Sequence, residues 1–287
     1  MSLSKSTPKN QTTMNLEPRA ISALSQIRNS AWMASPGHVR EYASRLAAMP
    51  ESMVDYDDFY NPRQPMTMDN NGIAVIHVAG MLLDEAPPIY EKLGLATTYP
   101  TIIAELEQAA EVGAKGICLV INSGGGHVSG NIEAAKAVKS AGIPTVAFCK
   151  GMACSAAYAI ASQADAILAT PSATVGNIGT ILSWPDDDEF WRMMGIEWKA
   201  MTNQGADLKS TFHTEPDSAQ LAFLQEELDQ MGADFQQLVA DARPNIDPET
   251  NRAGWYYGDK AEELGIIDGQ GNMQDAILEL LSQIAAI

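Results

Sequence analysis

From residue 72 onward, short apolar runs alternate with amphipathic stretches. Residues 72–80 (GIAVIHVAG) and 116–121 (GICLVI) are short apolar runs with β-branched side chains, the pattern of buried strands. Residues 145–149, 166–169 and 197–201 read as further strands. Between them, Ile102, Ile103, Leu106, Ala109 and Ala110 fall on one helical face of residues 101–112. Ser129 stands where a cap would open a helix that runs to about Ser140, and Gly142-Ile143-Pro144 stops it. Residues 155–163 make a helix of small side chains. The clearest helix spans 217–242, where Leu221, Leu224, Leu228, Met231, Phe235 and Leu238 step by three and four. Such a stripe either packs on its own domain or forms a subunit interface. A turn, a short helix and a strand follow over 254–269, and a last helix starts near Asn272. Strands interleaved with helices predict an α/β fold with substantial parallel pairing.

The first 71 residues are different. Residues 1–15 are polar and read as a disordered tail. Residues 16–71 read as a helical N-terminal appendage and linker: Ala20, Ile21, Leu24, Ile27 and Trp32 recur at helical spacing, and a second helical stretch runs from about 36 to 48. The Asp-, Asn- and Pro-rich segment 50–71 then leads into the main domain, 72–287. The N-terminus lacks the apolar core of a secretory signal, and no apolar run reaches the roughly 18 residues of a membrane span. A soluble, cytoplasmic product is expected.

Charge narrows the partners. Lys and Arg number 18 against 36 Asp and Glu, a formal net charge of −18. A chain this acidic repels phosphate backbones and anionic membranes, so neither nucleic acid nor membrane is expected as a partner. The three cysteines, Cys118, Cys149 and Cys154, lie in or beside apolar runs and read as small core residues. With four histidines in all, no metal site is expected.

Three segments could carry chemistry. Ile121-Asn122-Ser123-Gly124-Gly125-Gly126-His127 is a glycine run between a strand and a helix, where bare backbone lets N–H groups approach a ligand. Its spacing fits neither phosphate-binding glycine motif, and an oxyanion hole is the better use. In Gly151-Met152-Ala153-Cys154-Ser155-Ala156-Ala157, Ser155 enters a helix after a strand. A serine there either caps the helix or acts as a nucleophile beside its free N–H groups. In Gly205-Ala206-Asp207-Leu208-Lys209, the lysine is either a solvated charge or a desolvated general base. A Ser-His-Asp triad would need His38, His77, His127 or His213, and pattern alone marks none of them as a base.

In this order and at this separation, the segments resemble the signal peptide peptidase A family of serine proteases, whose fold is shared with Clp protease and the crotonases. The resemblance covers about residues 72–270. INSGGG is similar to the family's Asn-Ser-Pro-Gly-Gly, with Gly124 in the proline's place. GMACSAAYAIASQADAILA is similar to the nucleophile segment, ATVGNIGTI to the Gly-Ser-Ile-Gly run with Asn177 for serine, and GADLKS to the base segment with one extra residue before Lys209. GWYYGDKAEELGIIDG is similar to the closing motif. No segment of the sequence resembles the family's membrane anchor, and none is expected. The N-terminal appendage with Trp32, Pro36-Gly37-His38 and Leu46 instead resembles the leader of bacteriophage capsid-assembly (prohead) proteases.

The resemblance implies a Clp/crotonase-like α/β fold of repeated β-β-α units with a mostly parallel sheet. It implies a Ser-Lys dyad of Ser155 as nucleophile and Lys209 as base, with the N–H groups of Gly125 and Ala156 as oxyanion hole. Gly124, Gly126, Gly176 and Asn177 would line the substrate, and no metal or organic cofactor is required. It further implies a ring-like homo-oligomer in which serine and lysine come from one subunit or from neighbours. Scaffold, capsid or portal proteins would be cleaved in the host cytoplasm or procapsid interior. Three rivals stay open: a catalytically silent capsid scaffold or assembly factor, acyl-CoA chemistry on the same fold, and a Ser-His protease using His127 or His213.

Overall fold

The computed structural model describes residues 65–184, 188–209 and 215–287, together with the backbone of 32–34. The expected tail at 1–15, the expected helices up to residue 31 and over 36–48, and most of the expected linker lie outside the described residues, as do His38 and His213. Residues Trp32–Ala34 are strand β1, where helical spacing had pointed to the end of a helix.

The remaining strands and helices follow in chain order. Strands β2 (Thr67–Met68), β3 (Ile73–Ala79) and β4 (Met81–Leu83) precede helix α1 (Pro88–Lys92). Strand β5 (Ala96–Thr98) runs straight into α2 (Tyr99–Glu111), whose first turn is capped by the Thr98 side chain. Next come β6 (Gly116–Ser123), β7 (Gly125–His127) and α3 (Asn131–Lys139). Then follow β8 (Thr145–Cys154), α4 (Ala156–Ala161), β9 (Ala166–Ala169), β10 (Thr174–Gly176) and α5 (Asp188–Met193). The chain continues through α6 (Ser218–Ala242), β11 (Trp255–Tyr256), α7 (Gly258–Glu263), β12 (Gly269–Gln270) and α8 (Met273–Ala285).

The main sheet follows the order β11-β10-β8-β6-β3-β2, with β9 also beside β8 and β12 beside β9. Its interior pairs, β3–β6, β6–β8, β8–β9 and β8–β10, are all parallel, and the antiparallel strands β2 and β11 sit at its edges. Parallel strands are covered on both faces, which is why 116–121 reads as a continuous apolar run. One face carries α2, α3 and α4 over Ile76, Ile117, Leu119 and Ile121; the other carries α8, whose Ala276 and Leu280 meet Cys118, Val120 and Phe148. A smaller sheet, β1-β7-β4-β5, stands beside the carboxyl ends of β3 and β6. The fold is thus mixed α/β with a mostly parallel sheet.

Several local expectations change. Residues 197–201 form no strand; they are exposed and lie in a loop. Gly130, in the left-handed region, rather than Ser129, precedes α3, and the Ser129 hydroxyl donates instead to Asp84 Oδ2 at 3.2 Å. Strand β8 runs five residues past its predicted end at Cys149. Helix α6 starts where expected, and Asp217 and Gln220 close a reciprocal capping box at its amino end. Its stripe, however, is fully buried only near its carboxyl end, at Phe235, while Leu221 at the amino end is exposed.

Candidate active site

Ser155 occupies the single residue between β8 and α4. Its φ of 57° and ψ of −123° lie in a region that a residue with a Cβ enters only under constraint, at a cost of about 1–3 kcal/mol. Neighbouring hydrogen bonds supply that constraint. Its N–H donates to Gly176 O at 2.8 Å and its carbonyl accepts from Ala159 N at 2.9 Å. The hydroxyl does not cap α4, so the capping role fails. It points instead toward Gly179 O, at a long 3.5 Å. Ser155 is 1% exposed, and its near neighbours in the chain, Ala153, Ala156, Ala157 and Ala159, are all buried. A strained serine on a sharp strand-to-helix turn is the arrangement that presents a hydroxyl for attack. The first amides of α4, beginning with Ala156, have no acceptor inside the helix.

The glycine run lies alongside. Ser123 pairs with Ala153, so Gly125 and Ser155, each two residues further on, leave the same end of neighbouring parallel strands. Just before that point, the step from Ile121 to Ser123 on β6 matches the longer step from Cys149 to Ala153 on β8. Asn122 Oδ1 accepts the Met152 N–H at 3.1 Å and holds the resulting bulge. Ser123 folds the glycine run back: its hydroxyl donates to Gly80 O at 2.6 Å and accepts the Gly125 N–H at 3.1 Å. The Gly125 amide is therefore already engaged within the protomer. Gly126 must be glycine, because a Cβ there would lie 1.7 Å from Leu82 O. Gly124, Gly125 and Gly126 are all buried.

Gly176 and Asn177 form the third wall. Gly176 has a φ of 104°, and Asn177 a φ of 58°, a left-handed conformation that asparagine tolerates better than most residues. Asn177 N donates to Gly254 O at 2.7 Å and its Nδ2 to Ala253 O at 2.8 Å, so it fastens the loop before β11 to the Ser155 turn. Sequence reasoning missed this role; an asparagine after a glycine in a non-helical run was the available signal. It also missed the left-handed geometry of Ser155.

Lys209 belongs to a different turn. It lies in an exposed turn closed by its own N–H to Ala206 O at 3.2 Å, and its amine has no hydrogen bond or ion pair with a described residue. Gln220 Nε2, on the first turn of α6, donates to Asp207 O at 2.9 Å and to Lys209 O at 3.2 Å. The turn is thus tied to the end of α6 where Leu221 and Phe223 are exposed. Among the described residues of one protomer, serine and lysine are not brought into hydrogen-bond contact.

The other candidates sort by burial. His77 alternates with Ile73 and Val75 on the face that packs against α8, opposite the helix that Ser155 enters. His127 ends the glycine strand, and burial holds its imidazole below the ordinary histidine range, opposed by the charge of Asp84. Burial pushes the Cys154 thiol up to about 12, so the residue before Ser155 is a protonated thiol at neutral pH and no rival nucleophile. All three cysteines are buried, as core residues. Among the described residues, no cluster of His, Cys, Asp and Glu could hold a metal, and no helix is long and apolar enough to cross a membrane.

Comparison with known proteins bears on this geometry. The sequence model of peptidase family S49 matches residues 137–286, and that of Clp protease matches residues 74–175. Capsid assembly protease C of Escherichia phage lambda is 28% identical over 232 residues, 75% of this chain and 50% of the phage protein. Protease 4 of Salmonella typhi is 30% identical over 234 residues, 78% of this chain and 36% of that protein. The head-tail preconnector protein of Enterobacteria phage P21 is 35% identical over 116 residues, 39% of this chain and 23% of its own length. The chain spans half or less of the length of these three relatives. The S49 match covers more than half of this chain, from the last turn of α3 through α8, and includes Ser155, Asn177 and Lys209.

Proposed function

The chain belongs to peptidase family S49, and from that membership we propose that it is a serine endopeptidase with Ser155 as nucleophile and Lys209 as base. The observation that carries the reading is the Ser155 turn: a buried hydroxyl, held at positive φ, unused as a cap, beside a glycine strand. Ser155 Oγ attacks the scissile carbonyl carbon while neutral Lys209 Nζ takes its proton and passes it to the leaving amine. Water then attacks the acyl carbon as Lys209 accepts one of its protons; the ester C–Oγ bond breaks, the peptide acid leaves, and Lys209 returns the proton to Ser155 Oγ. The Ala156 N–H faces the developing oxyanion; the Gly125 N–H joins it by sharing the proton it now gives to Ser123 Oγ. Each such donor is typically worth about 3–4 kcal/mol in the transition state. Gly124, Gly126, Gly176 and Asn177 border an extended peptide with small or apolar side chains near the cut.

A second copy completes the site. Lys209 needs to lose its water to act as a base, and its turn is tied to the end of α6 whose apolar residues are uncovered in one protomer. Packing of that end against a neighbour would bury Leu221 and Phe223 and carry the lysine into an apolar setting. The physiological substrates are scaffold or capsid proteins of a phage head, a reading supported by the likeness to capsid assembly protease C.

The test is labelling of the purified protein with a fluorophosphonate, followed by peptide mapping. The label is expected on Ser155, and Ser155→Ala is expected to lose it together with at least about 10⁴-fold of peptide hydrolysis. Unchanged cleavage of a co-expressed scaffold protein by Ser155→Ala defeats the assignment. Absence of both label and cleavage in the wild type favours a silent assembly factor.

A further inference from the structure

The glycine strand β7 has two neighbours, and one of them is the chain's own N-terminal segment. On one side β4 runs parallel to it, with Leu82 opposite Gly126. On the other, β1 runs antiparallel, with Trp32 opposite His127, Met33 opposite Gly126 and Ala34 opposite Gly125. Without β1, that side of β7 is a strand edge, with the Gly125 N–H turned to Ser123 Oγ and the His127 carbonyl accepting the Tyr99 hydroxyl, and such an edge can take up an extended peptide as an added strand. Glycine at 125 and 126 leaves it free of side chains.

Direction matters as much as position. Gly125 is the end of β7 nearest Ser155, since the two residues leave adjacent strand ends in step. Strand β1 therefore travels from the far end of the glycine strand toward the serine, and Ala34 is its residue at the serine end. With Gly125 as an oxyanion donor, a peptide added to this edge in place of β1 and running the same way would set its acyl-forming residue opposite Gly125, where Ala34 sits.

We infer that Trp32–Ala34 is a built-in occupant of the substrate strand position, seated in substrate polarity, and that an incoming peptide must displace it. The inference rests on the serine-protease reading of Ser155. Because the occupant belongs to the same chain, it competes at an effective concentration in the millimolar range, so even a weak strand raises the apparent KM. The turnover of a peptide once bound is untouched.

The experiment uses the full chain and a fluorogenic alanine-rich tetrapeptide. Met33→Pro with Ala34→Pro removes N–H donors at two successive positions, one of which faces β7 whatever the pleat, and so unseats the strand. The double variant is expected to lower KM about three- to tenfold with kcat unchanged. A synthetic peptide of residues 29–37, added in trans, is expected to inhibit the variant competitively. Circular dichroism and fluorophosphonate labelling verify that the variant is folded. Hydrolysis of the Ala34–Ser35 bond in the wild type but not in Ser155→Ala also supports the inference, since that cut consumes one water and requires Ala34 at the serine. An intact wild type whose KM matches that of the double variant, while both hydrolyse the tetrapeptide, overturns it. Failure of wild type and variant alike to label or to cleave defeats the protease reading instead, and the inference falls with it.

Discussion

The turn at Ser155 and the turn at Lys209 belong to one proposed site, yet the protomer builds them to different standards. The first is buried, held at φ 57°, and pinned through its N–H to Gly176 and its carbonyl to Ala159. The second is exposed, and its described hydrogen bonds are a backbone bond to Ala206 and a glutamine reaching over from α6. The serine half draws its geometry from the parallel sheet, whose strand ends converge where β6 and β8 stop. The lysine half draws on the first turn of α6, the end of that helix with uncovered apolar residues. Folding alone finishes one half; assembly, on our reading, finishes the other.

That contrast can be broken by experiment. Lys209→Met should lower kcat about 10²- to 10⁴-fold, the usual range for loss of a general base, while leaving the thermal midpoint in place. Mixing Lys209→Met with Ser155→Ala should restore measurable hydrolysis, because a base crossing between subunits meets an intact serine. No recovery in mixed assemblies would return the lysine to its own protomer. Gly126→Ala should behave in the opposite way. Its Cβ would be driven to 1.7 Å from Leu82 O, and a backbone clash of that kind should cost about 3 kcal/mol or more, seen as a lower midpoint in thermal or urea unfolding. An unaltered midpoint would mean that the glycine strand is not packed against β4 as described.

The smallest effect sharpens the comparison most. Asn177→Ala removes the Nδ2 bond to Ala253 O and leaves a left-handed φ to an alanine, together worth about 1–2 kcal/mol of stability. Asn177→Gly removes the same bond but accepts the backbone, and should lose less. If the two lose equally, the asparagine matters through its side chain alone. If neither changes stability, the loop before β11 does not help to hold the serine turn.

Much of this could be read in the chain itself. The buried strands announce themselves because central parallel strands are covered on both faces, so that the runs 73–76 and 116–121 carry no polar side chain. Helix α6 is legible from its stripe, and the glycine run and Ser155 stand out by position between strand and helix. Strand 197–201 was not, since its alternation of apolar and polar residues belongs to an exposed loop with no sheet partner. The difference between a capping serine and a strained one was equally hidden. It depends on Gly176, brought beside Cys154 by strand pairing across some twenty residues of sequence.

By itself, then, the sequence determined which segments are apolar, where they start and stop, and which residue types stand at the strand ends, because these are local properties of side chains. Only the tertiary structure decided that Ser155 is twisted rather than capping, that Asn177 fastens one loop to another, and that β1 lies along the glycine strand. The reason is that each of these depends on backbone groups meeting from distant parts of the chain, and the direction of an N–H or a carbonyl is fixed by the fold and not by the identity of the residue that carries it.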